Sequence, residues 1–212
     1  MSRTTLFEYR AWPSEGMPHI EALHHIFGLG IAEIRTDTYI FSPARPDWLI
    51  MMHGAEELEI HEKTGEEGSL SVWKLVARSE FPVRRSFVRT LQDALPGAHL
   101  SHRIMVPADI ISWLDRDVRT FTVSKRAVQF NREGCVAEFS QIDANGRRAE
   151  TFCLTSKRQE IVSEALDLLP SPRLPNVDFG SWLLDCSWNA QALEPARKAN
   201  GPMPILGAEK VA

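Results

Sequence analysis

Apolar and polar residues alternate with a period of two along much of the chain, most clearly between residues 121 and 155. Three runs there, FTVSKRAVQF, GCVAEFSQI and RRAETFCLT, are rich in β-branched and aromatic residues, and the segments NREG and DANG separate them. Runs of this kind joined by turn-forming residues predict three consecutive antiparallel strands. Charged residues lie within these strands as well as at their ends, and the mid-strand charges are Lys125, Glu138 and Glu150.

Alternate residues of a strand share one face of the sheet. By this rule Lys125 lies with Val123 and Ala127, Glu138 lies with Val136 and Ser140, and Glu150 lies with Phe152 and Leu154. Two arrangements explain the pattern. One is a sheet with a core face and a solvated face, and the other is a barrel with a charged interior.

The same alternation predicts earlier strands at residues 6–12, 31–43, 48–52, 58–63 and 70–81, with a short one at 99–106. Helical spacing of apolar residues predicts helices at 18–30, 83–95, 107–118 and 156–169. Beyond Pro170 prolines are frequent and the periodicity is lost. We therefore expect one domain over residues 1–188, with seven or eight mostly antiparallel strands and three or four inserted helices, and a partly ordered tail over 189–212.

The composition of the chain argues against several classes of protein. A net charge of -4 without a basic arm gives no electrostatic basis for binding nucleic acid. The three widely spaced cysteines indicate neither a disulfide framework nor a zinc site. No apolar run reaches the length of a membrane span, and the amino terminus lacks the apolar core of a signal peptide, so we expect a cytoplasmic protein without membrane contact. The common nucleotide-binding glycine motifs are also absent from the sequence.

Two further strands carry candidate chemistry. In LFEYR, Glu8 and Arg10 share a face, which is either a solvated edge or the wall of an enclosed site. In LEIHEK, Glu59 and His61 follow Glu57 at alternate positions. Carboxylates and imidazoles suit several divalent metals, so this face is either a metal-binding wall or the wet side of an antiparallel strand.

The order and spacing of several short segments carry a family resemblance. These segments are LFEYR, an Asp-x-Tyr strand at Asp37 and Tyr39, LEIHEK, SVWKL, VSKRAVQF, GCVAEFSQI and a Gly-Arg-Arg turn leading to Glu150. Over about residues 3–185 they resemble the CYTH superfamily, the triphosphate tunnel metalloenzymes, which include thiamine triphosphatases, inorganic triphosphatases and one class of adenylyl cyclase. The resemblance implies an α+β fold: a closed, antiparallel, eight-stranded β-barrel with helices inserted between hairpins and packed outside.

In this family the barrel interior holds a triphosphate, basic side chains bind the phosphates, and carboxylates bind Mg²⁺ or Mn²⁺. Carried over by position, the resemblance implies four phosphate-binding residues: Arg10, Lys74, Lys125 and Arg126. It implies Glu8, Glu138 and Glu150 as catalytic carboxylates, and these three together with Glu59 as metal ligands. Strand parity allows only one of Lys125 and Arg126 to face inward without a bulge, and we expect it to be Lys125.

The sequence also departs from the family pattern. Leu6 stands where the signature strand has its first Glu, His61 replaces a strand Lys, and Phe152 replaces one residue of a Glu pair. Because the basic residues are better kept than the acidic ones, we expect a divergent tunnel protein that binds a phosphorylated anion (triphosphate, nucleotide or polyphosphate) with weak or no hydrolysis. Two alternatives are an active Mg²⁺- or Mn²⁺-dependent triphosphatase and a non-catalytic interaction scaffold with a filled barrel. Either a monomer or a homodimer is compatible with the sequence.

Overall fold

Eight antiparallel strands close into a barrel in the computed structural model, which describes residues 4–13, 20–98, 100, 103–169 and 174–185. The strands are β1 (Thr5–Ala11), β2 (Ile31–Phe41), β3 (Trp48–His53), β4 (Glu57–Glu67), β5 (Leu70–Glu80), β6 (Arg119–Arg132), β7 (Cys135–Ala144) and β8 (Arg147–Ser156). Their order around the barrel is β1-β5-β4-β3-β2-β6-β7-β8. The predicted α+β fold with an eight-stranded antiparallel barrel is therefore confirmed.

Five helices lie in the described part of the chain: α1 (Ile20–Phe27), α2 (Arg85–Ala94), α3 (Pro107–Ile111), α4 (Gln159–Asp167) and α5 (Phe179–Asp185). The helix predicted at 107–118 is wrong beyond Ile111, where the chain continues in turns whose N–H groups bond three residues back. The strand predicted at 99–106 is reduced to one bridge, between Val83 and Ile104. Residues 99, 101 and 102 of that segment, and the predicted tail 189–212, lie outside the described residues.

The two predicted turns of the central hairpins have the backbone that such turns require. Asn145 and Gly146 have φ angles of 50° and 91°, and Glu133 and Gly134 have angles of 51° and 84°. Positive φ at both central residues matches the twist of the flanking strands, which is why a Gly follows in each turn. These turns fix the register of β6, β7 and β8 and thus the face on which each charge lies.

Four helices cover much of the outer surface of the barrel. Helices α1 and α4 pack on an apolar cluster that includes Tyr9, Phe130, Phe139, Phe152 and Leu154. Helix α2 and the segment around α3 pack on a second cluster that includes Ile40, Ile50, Met52, Leu58 and Ile60. Much of the apolar surface of the strands therefore faces outward, toward helices, and the interior is left free for polar residues. None of the described helices is long and apolar enough to cross a membrane.

Helix α5 differs from the other four because it packs against inward-facing residues at one end of the barrel. Phe179, Trp182 and Leu183 form a cluster with Tyr39, Phe41, Leu49, Trp73, Phe121, Val123, Ile142 and Ala144. The Phe179 ring stacks on Tyr39, with ring centroids 4.8 Å apart. The interior is thus divided into an apolar half beneath α5 and a polar half toward the opposite end.

Candidate ligand-binding site in the barrel

The polar half of the barrel encloses a cavity of about 570 Å³. Seven strands contribute charged or imidazole side chains to its wall: Glu8 and Arg10 from β1, Glu33 and Arg35 from β2, His53 from β3, Glu57, Glu59 and His61 from β4, Arg78 from β5, Lys125 from β6 and Glu138 from β7. Phe179 of α5 lines it as well. Charged side chains therefore surround the cavity, and helix α5 closes it on one side.

Lys125 and Glu138 form a tight buried ion pair on the wall between β6 and β7. The Lys125 Nζ atom lies 2.5 Å from Glu138 Oε1, and these residues are only 4% and 8% exposed. Ser140 Oγ and Gln129 Nε2 also donate hydrogen bonds to the carboxylate, at 2.8 and 3.0 Å. Burial alone would raise the pKa of Glu138, but attraction to Lys125 and Arg10 outweighs it and lowers the pKa to about 2.

Arg10 is the buried cation with the weakest side-chain hydrogen bonds around the cavity. Its guanidinium contacts both oxygens of Glu8 and the hydroxyl of Thr151, and all three distances are 3.4 Å. Charge-assisted hydrogen bonds usually measure about 2.7–2.9 Å. The guanidinium also lies over the Phe179 ring, 5.2 Å from its centroid. A cation that is only 7% exposed and held by long contacts is therefore directed into the cavity.

A second cluster links carboxylates and imidazoles on β2, β3 and β4. Asp37 is fully buried and accepts a hydrogen bond from Arg35 Nε at 2.8 Å, and its other oxygen lies 3.1 Å from His53 Nδ1. The Oε2 atom of Glu59 lies 3.5 Å from His53 Nε2 and 2.8 Å from His61 Nε2. Arg78 pairs with the other oxygen of Glu59 and, at 2.9 Å, with Glu57.

Contacts within this cluster determine the protonation states of His53 and Glu59. Hydrogen bonds to Asp37 and Glu59 raise the pKa of His53 to about 9, so the imidazole is protonated at neutral pH. Burial would raise the pKa of Glu59, but hydrogen bonds from His53 and His61 and the neighbouring Arg78 lower it well below its usual range. His53 therefore adds one positive charge to the cavity wall.

The structure brings five of the predicted site residues together around the cavity: Glu8, Arg10, Glu59, Lys125 and Glu138. Lys125 faces inward and Arg126 outward, as expected from strand parity. The functions assigned to these five residues remain predictions.

Three other predicted site residues, Lys74, Arg126 and Glu150, lie on the outer face of the barrel, so the position expected inside it is wrong for Lys74 and Glu150. Lys74 follows the inward-facing Trp73 and lies 3.9 Å from Glu62. Arg126 is exposed, and Glu150 accepts a hydrogen bond from Gln141 on the outer surface of β7. Alternation correctly groups Glu150 with Phe152 and Leu154, but those side chains pack under the outer helices.

Sequence reasoning missed Arg35, Asp37, His53 and Arg78. The alternating Glu33, Arg35 and Asp37 on β2 carry the same signal that identified Glu8 and Arg10, and that signal was sufficient to find them. Arg78 gives no such signal. The register shifts between β4 and β5, so that Leu75 pairs with His61 and Ala77 with Ile60, and this bulge turns Arg78 toward Glu59.

The carboxylates do not fit the Mg²⁺ or Mn²⁺ site that the resemblance implies. Glu8, Glu59 and Glu138 are each paired with a cationic side chain, and Glu150 lies outside the barrel. Within the ranges described above, no three His, Cys, Asp or Glu side chains are arranged to hold a metal ion. Divalent ions of this type depend on free carboxylate oxygens, so the donor set here is unsuitable.

Comparison with known proteins adds information on the fold. No family model and no curated protein matches the sequence. A "putative adenylate cyclase" from Bacillus halodurans is 8% identical, with 84% of this chain and 97% of that chain covered and a TM-score of 0.50. A "putative adenylyl cyclase" from Hippeastrum with a dominant triphosphatase activity is 12% identical, with coverage of 77% and 84% and a TM-score of 0.46.

A conserved hypothetical protein from Pyrococcus furiosus is 13% identical, with coverage of 82% of this chain and 97% of that chain and a TM-score of 0.46. At these identities structural similarity concerns the fold, and function has to be argued from the site. The strand order, the closed antiparallel barrel and the similarity to the Bacillus halodurans structure agree with one another. The chain therefore has the fold of the Bacillus halodurans structure, a closed antiparallel barrel of eight strands with helices packed outside, as the resemblance in the sequence implied.

Proposed function

We propose that the barrel cavity binds a phosphorylated anion, such as a triphosphate, a nucleotide or a polyphosphate, with weak or no hydrolysis. The observation that carries this proposal is Arg10. Its guanidinium is buried, it borders a cavity, and its side-chain hydrogen bonds are all 3.4 Å long. Phosphate oxygens form shorter and stronger bonds to a guanidinium, so an anion in the cavity satisfies Arg10 better than Glu8 does.

Other cations support the same ligand class. Arg35, Arg78 and Lys125 line the cavity, and His53 is protonated at neutral pH. The volume of about 570 Å³ lies within the range of roughly 300–1,000 Å³ that is typical of small-molecule sites. The cavity is also too large for a filled barrel, which disfavours the scaffold alternative.

Charge balance limits how the anion binds. Five carboxylates and five cations line the cavity: Glu8, Glu33, Glu57, Glu59 and Glu138 against Arg10, Arg35, His53, Arg78 and Lys125. An entering anion therefore exchanges places with a carboxylate that is already paired. The contact between Arg10 and Glu8 is the easiest to exchange because it is long, whereas Lys125 and Glu138 are 2.5 Å apart.

The same pairing accounts for the weak hydrolysis that we propose. A carboxylate that activates water must accept its proton, and a carboxylate that holds a metal needs free oxygens. Around this cavity Glu59 and Glu138 are held by cations, and both have lowered pKa values. Binding therefore requires less rearrangement than catalysis does.

A thermal-shift titration with inorganic triphosphate, ATP and pyrophosphate, each with and without Mn²⁺, tests the proposal. We expect triphosphate to raise the melting temperature without metal, because a ligand at 100 times its Kd stabilises the folded state by about 2.7 kcal/mol. Potassium chloride at matched ionic strength is the control. No shift with any of the three anions would contradict anion binding, and phosphate release that depends on Mn²⁺ would favour the triphosphatase alternative.

A further inference from the structure

The first half of β2 has an unpaired backbone edge. Strand β2 pairs with β6 along its whole length, from Ile31 to Phe41, without a bulge. Its pairing with β3 extends only from Asp37 to Ile40. Within the part of the chain that the structure describes, residues 31–36 therefore have a strand partner on one side only. An unpaired edge of this kind is a template for another strand.

One hydrogen bond shows which backbone groups face the free edge. Gly54 N–H donates to the carbonyl of Thr36 at 3.1 Å, so Thr36 is directed toward the side of β3. Backbone direction alternates along an antiparallel strand, and therefore Ala32 and Ile34 present their N–H and C=O groups to the same side. Because Gly54 already lies opposite Thr36, the free part of the edge is residues 31–35, in which Ala32 and Ile34 have their backbone groups available.

The side chains around this edge are apolar and exposed. Leu29 is 95% exposed, and Ile31 and Ile34 are each 78% exposed. Natural proteins usually protect a free edge with charged residues, especially lysine, or with proline or a bulge. IAEIRT has no lysine, proline or bulge, and its charges, Glu33 and Arg35, are directed into the cavity. Exposed apolar residues beside an unpaired strand indicate a protein contact.

We propose that a second copy of this chain pairs with the β2 edge, antiparallel and across a two-fold axis at Ile34. In this register Ile34 lies opposite the partner's Ile34, and both residues direct their backbone groups to the shared edge. Glu33 then lies opposite the partner's Arg35, and because Glu33 and Arg35 already pair within each chain at 2.9 Å, the two intrachain pairs meet across the axis with opposite charges facing each other. The sequence of the edge is thus complementary to itself in charge.

The next register with the same hydrogen-bond direction is unfavourable. A shift by two residues pairs Ala32 with the partner's Ile34 and brings the two Glu33 carboxylates opposite each other, which is repulsive. The charges therefore favour the register centred on Ile34 over this one. Glu33 and Arg35 also line the cavity, but the test of this proposal measures the oligomeric state and not ligand binding, so its outcome does not depend on the proposed anion binding.

The mass in solution of wild type and two variants tests the dimer. In Ile34→Glu the new carboxylate lies directly opposite Arg126 on β6, so the monomer keeps a favourable pair while two carboxylates meet across the proposed axis. By sedimentation equilibrium up to roughly 1 mM protein, we expect wild type to approach twice 24.0 kDa and Ile34→Glu to remain at 24.0 kDa. Leu168→Lys, which changes an exposed apolar residue just after α4, is the control and should dimerise like wild type.

Hydrogen exchange gives a second measurement that needs no variant. Peptides covering residues 31–36 should become more protected as the wild-type concentration rises, while peptides covering α4 should not change. A wild-type mass of 24.0 kDa at every concentration would overturn the proposal. So would an Ile34→Glu variant that dimerises like wild type, or exchange of residues 31–36 that does not depend on concentration.

Discussion

Lys125 and Arg126 are neighbours in the chain, yet they lie on opposite faces of β6. Lys125 is 4% exposed and paired with Glu138, whereas Arg126 is exposed. We expect Lys125→Met to lower the free energy of unfolding by about 3–5 kcal/mol, because it leaves Glu138 buried without its cation. Arg126→Met should change it by less than about 0.5 kcal/mol. Urea unfolding at pH 7 measures both values.

The double variant Lys125→Met/Glu138→Gln separates a lost ion pair from lost packing. Because it removes both charges, it should recover a large part of the stability that Lys125→Met loses. Equal losses in Lys125→Met and Arg126→Met would contradict the placement of Lys125 inside the barrel.

His53 makes stability depend on pH above neutrality. Its pKa is raised from 6.5 to about 9, so its stabilising charge is fully present below about pH 6.5 and is lost as the pH rises through 9. The effect is at most about 3 kcal/mol, since one pKa unit corresponds to about 1.4 kcal/mol and the side chain is partly exposed.

Urea unfolding of wild type and His53→Gln at pH 6, 7.5 and 9.5 tests this dependence. The stability difference between the two proteins should be largest at pH 6 and smallest at pH 9.5. A difference that stays constant over this range would show that the contacts of His53 with Asp37 and Glu59 do not depend on its charge.

At the scale of residues, the sequence predicted which charges share a face, but it could not always predict which face lies inside. Glu8, Lys125 and Glu138 were placed correctly by the family resemblance, because alternation alone left open whether their faces were solvated or enclosed. Glu150 was misplaced because its apolar neighbours contact helices outside the barrel, and such a face looks the same in sequence as one that contacts an interior core. Arg78 depends on a bulge that alternation cannot show.

Helix α5 is the element that the sequence did not predict. It has seven residues, fewer than two turns, and it follows a proline-rich segment, so its apolar periodicity is too short to recognise. Asp178 is the signal that was available. Its carboxylate accepts hydrogen bonds from the N–H and hydroxyl groups of Ser181, as a residue at a helix start commonly does, and it pairs with Lys63 on β4 at 3.0 Å.

Leu183→Ala tests whether α5 closes the barrel. Leu183 is fully buried among inward-facing side chains, so we expect the free energy of unfolding to fall by about 2–5 kcal/mol. Leu184→Ala is the matched control, because Leu184 is only partly buried and should cost less. Similar small losses in both variants, measured by urea unfolding, would mean that α5 is not firmly packed.

The strands were the elements best predicted, since all eight begin and end within a few residues of the expected positions. Their alternation is strong, and glycine-containing turns fix β6, β7 and β8 in sequence. The closure of these strands into a barrel depends on pairing between β1 and both β5 and β8, which are far apart in the chain. Local patterns do not determine such contacts, and the expectation of a closed barrel came from the family resemblance.

At the scale of the whole molecule, apolar residues of helix α5 close one end of the barrel, and the polar cavity beneath them is lined by five carboxylates and five cations. The cavity therefore differs from a purely basic tunnel. Because an anion has to replace a paired carboxylate, we expect the cavity to bind some anions and not others. Arg10 is central to the account because it is buried and yet loosely held by Glu8 and Thr151. An anion that reaches Arg10 replaces long contacts with short ones, which is the source of the expected affinity.

Isothermal titration of inorganic triphosphate, in EDTA, into wild type, Arg10→Gln and Arg126→Gln tests this claim most directly. Gln keeps a donor for Glu8 but removes the charge, and a hydrogen bond to a charged group contributes about 1.5–3 kcal/mol, so Arg10→Gln should bind about 10- to 100-fold more weakly. Arg126→Gln, on the outer face, should bind like wild type. Equal affinity of wild type and Arg10→Gln, or no binding by wild type, would contradict the account.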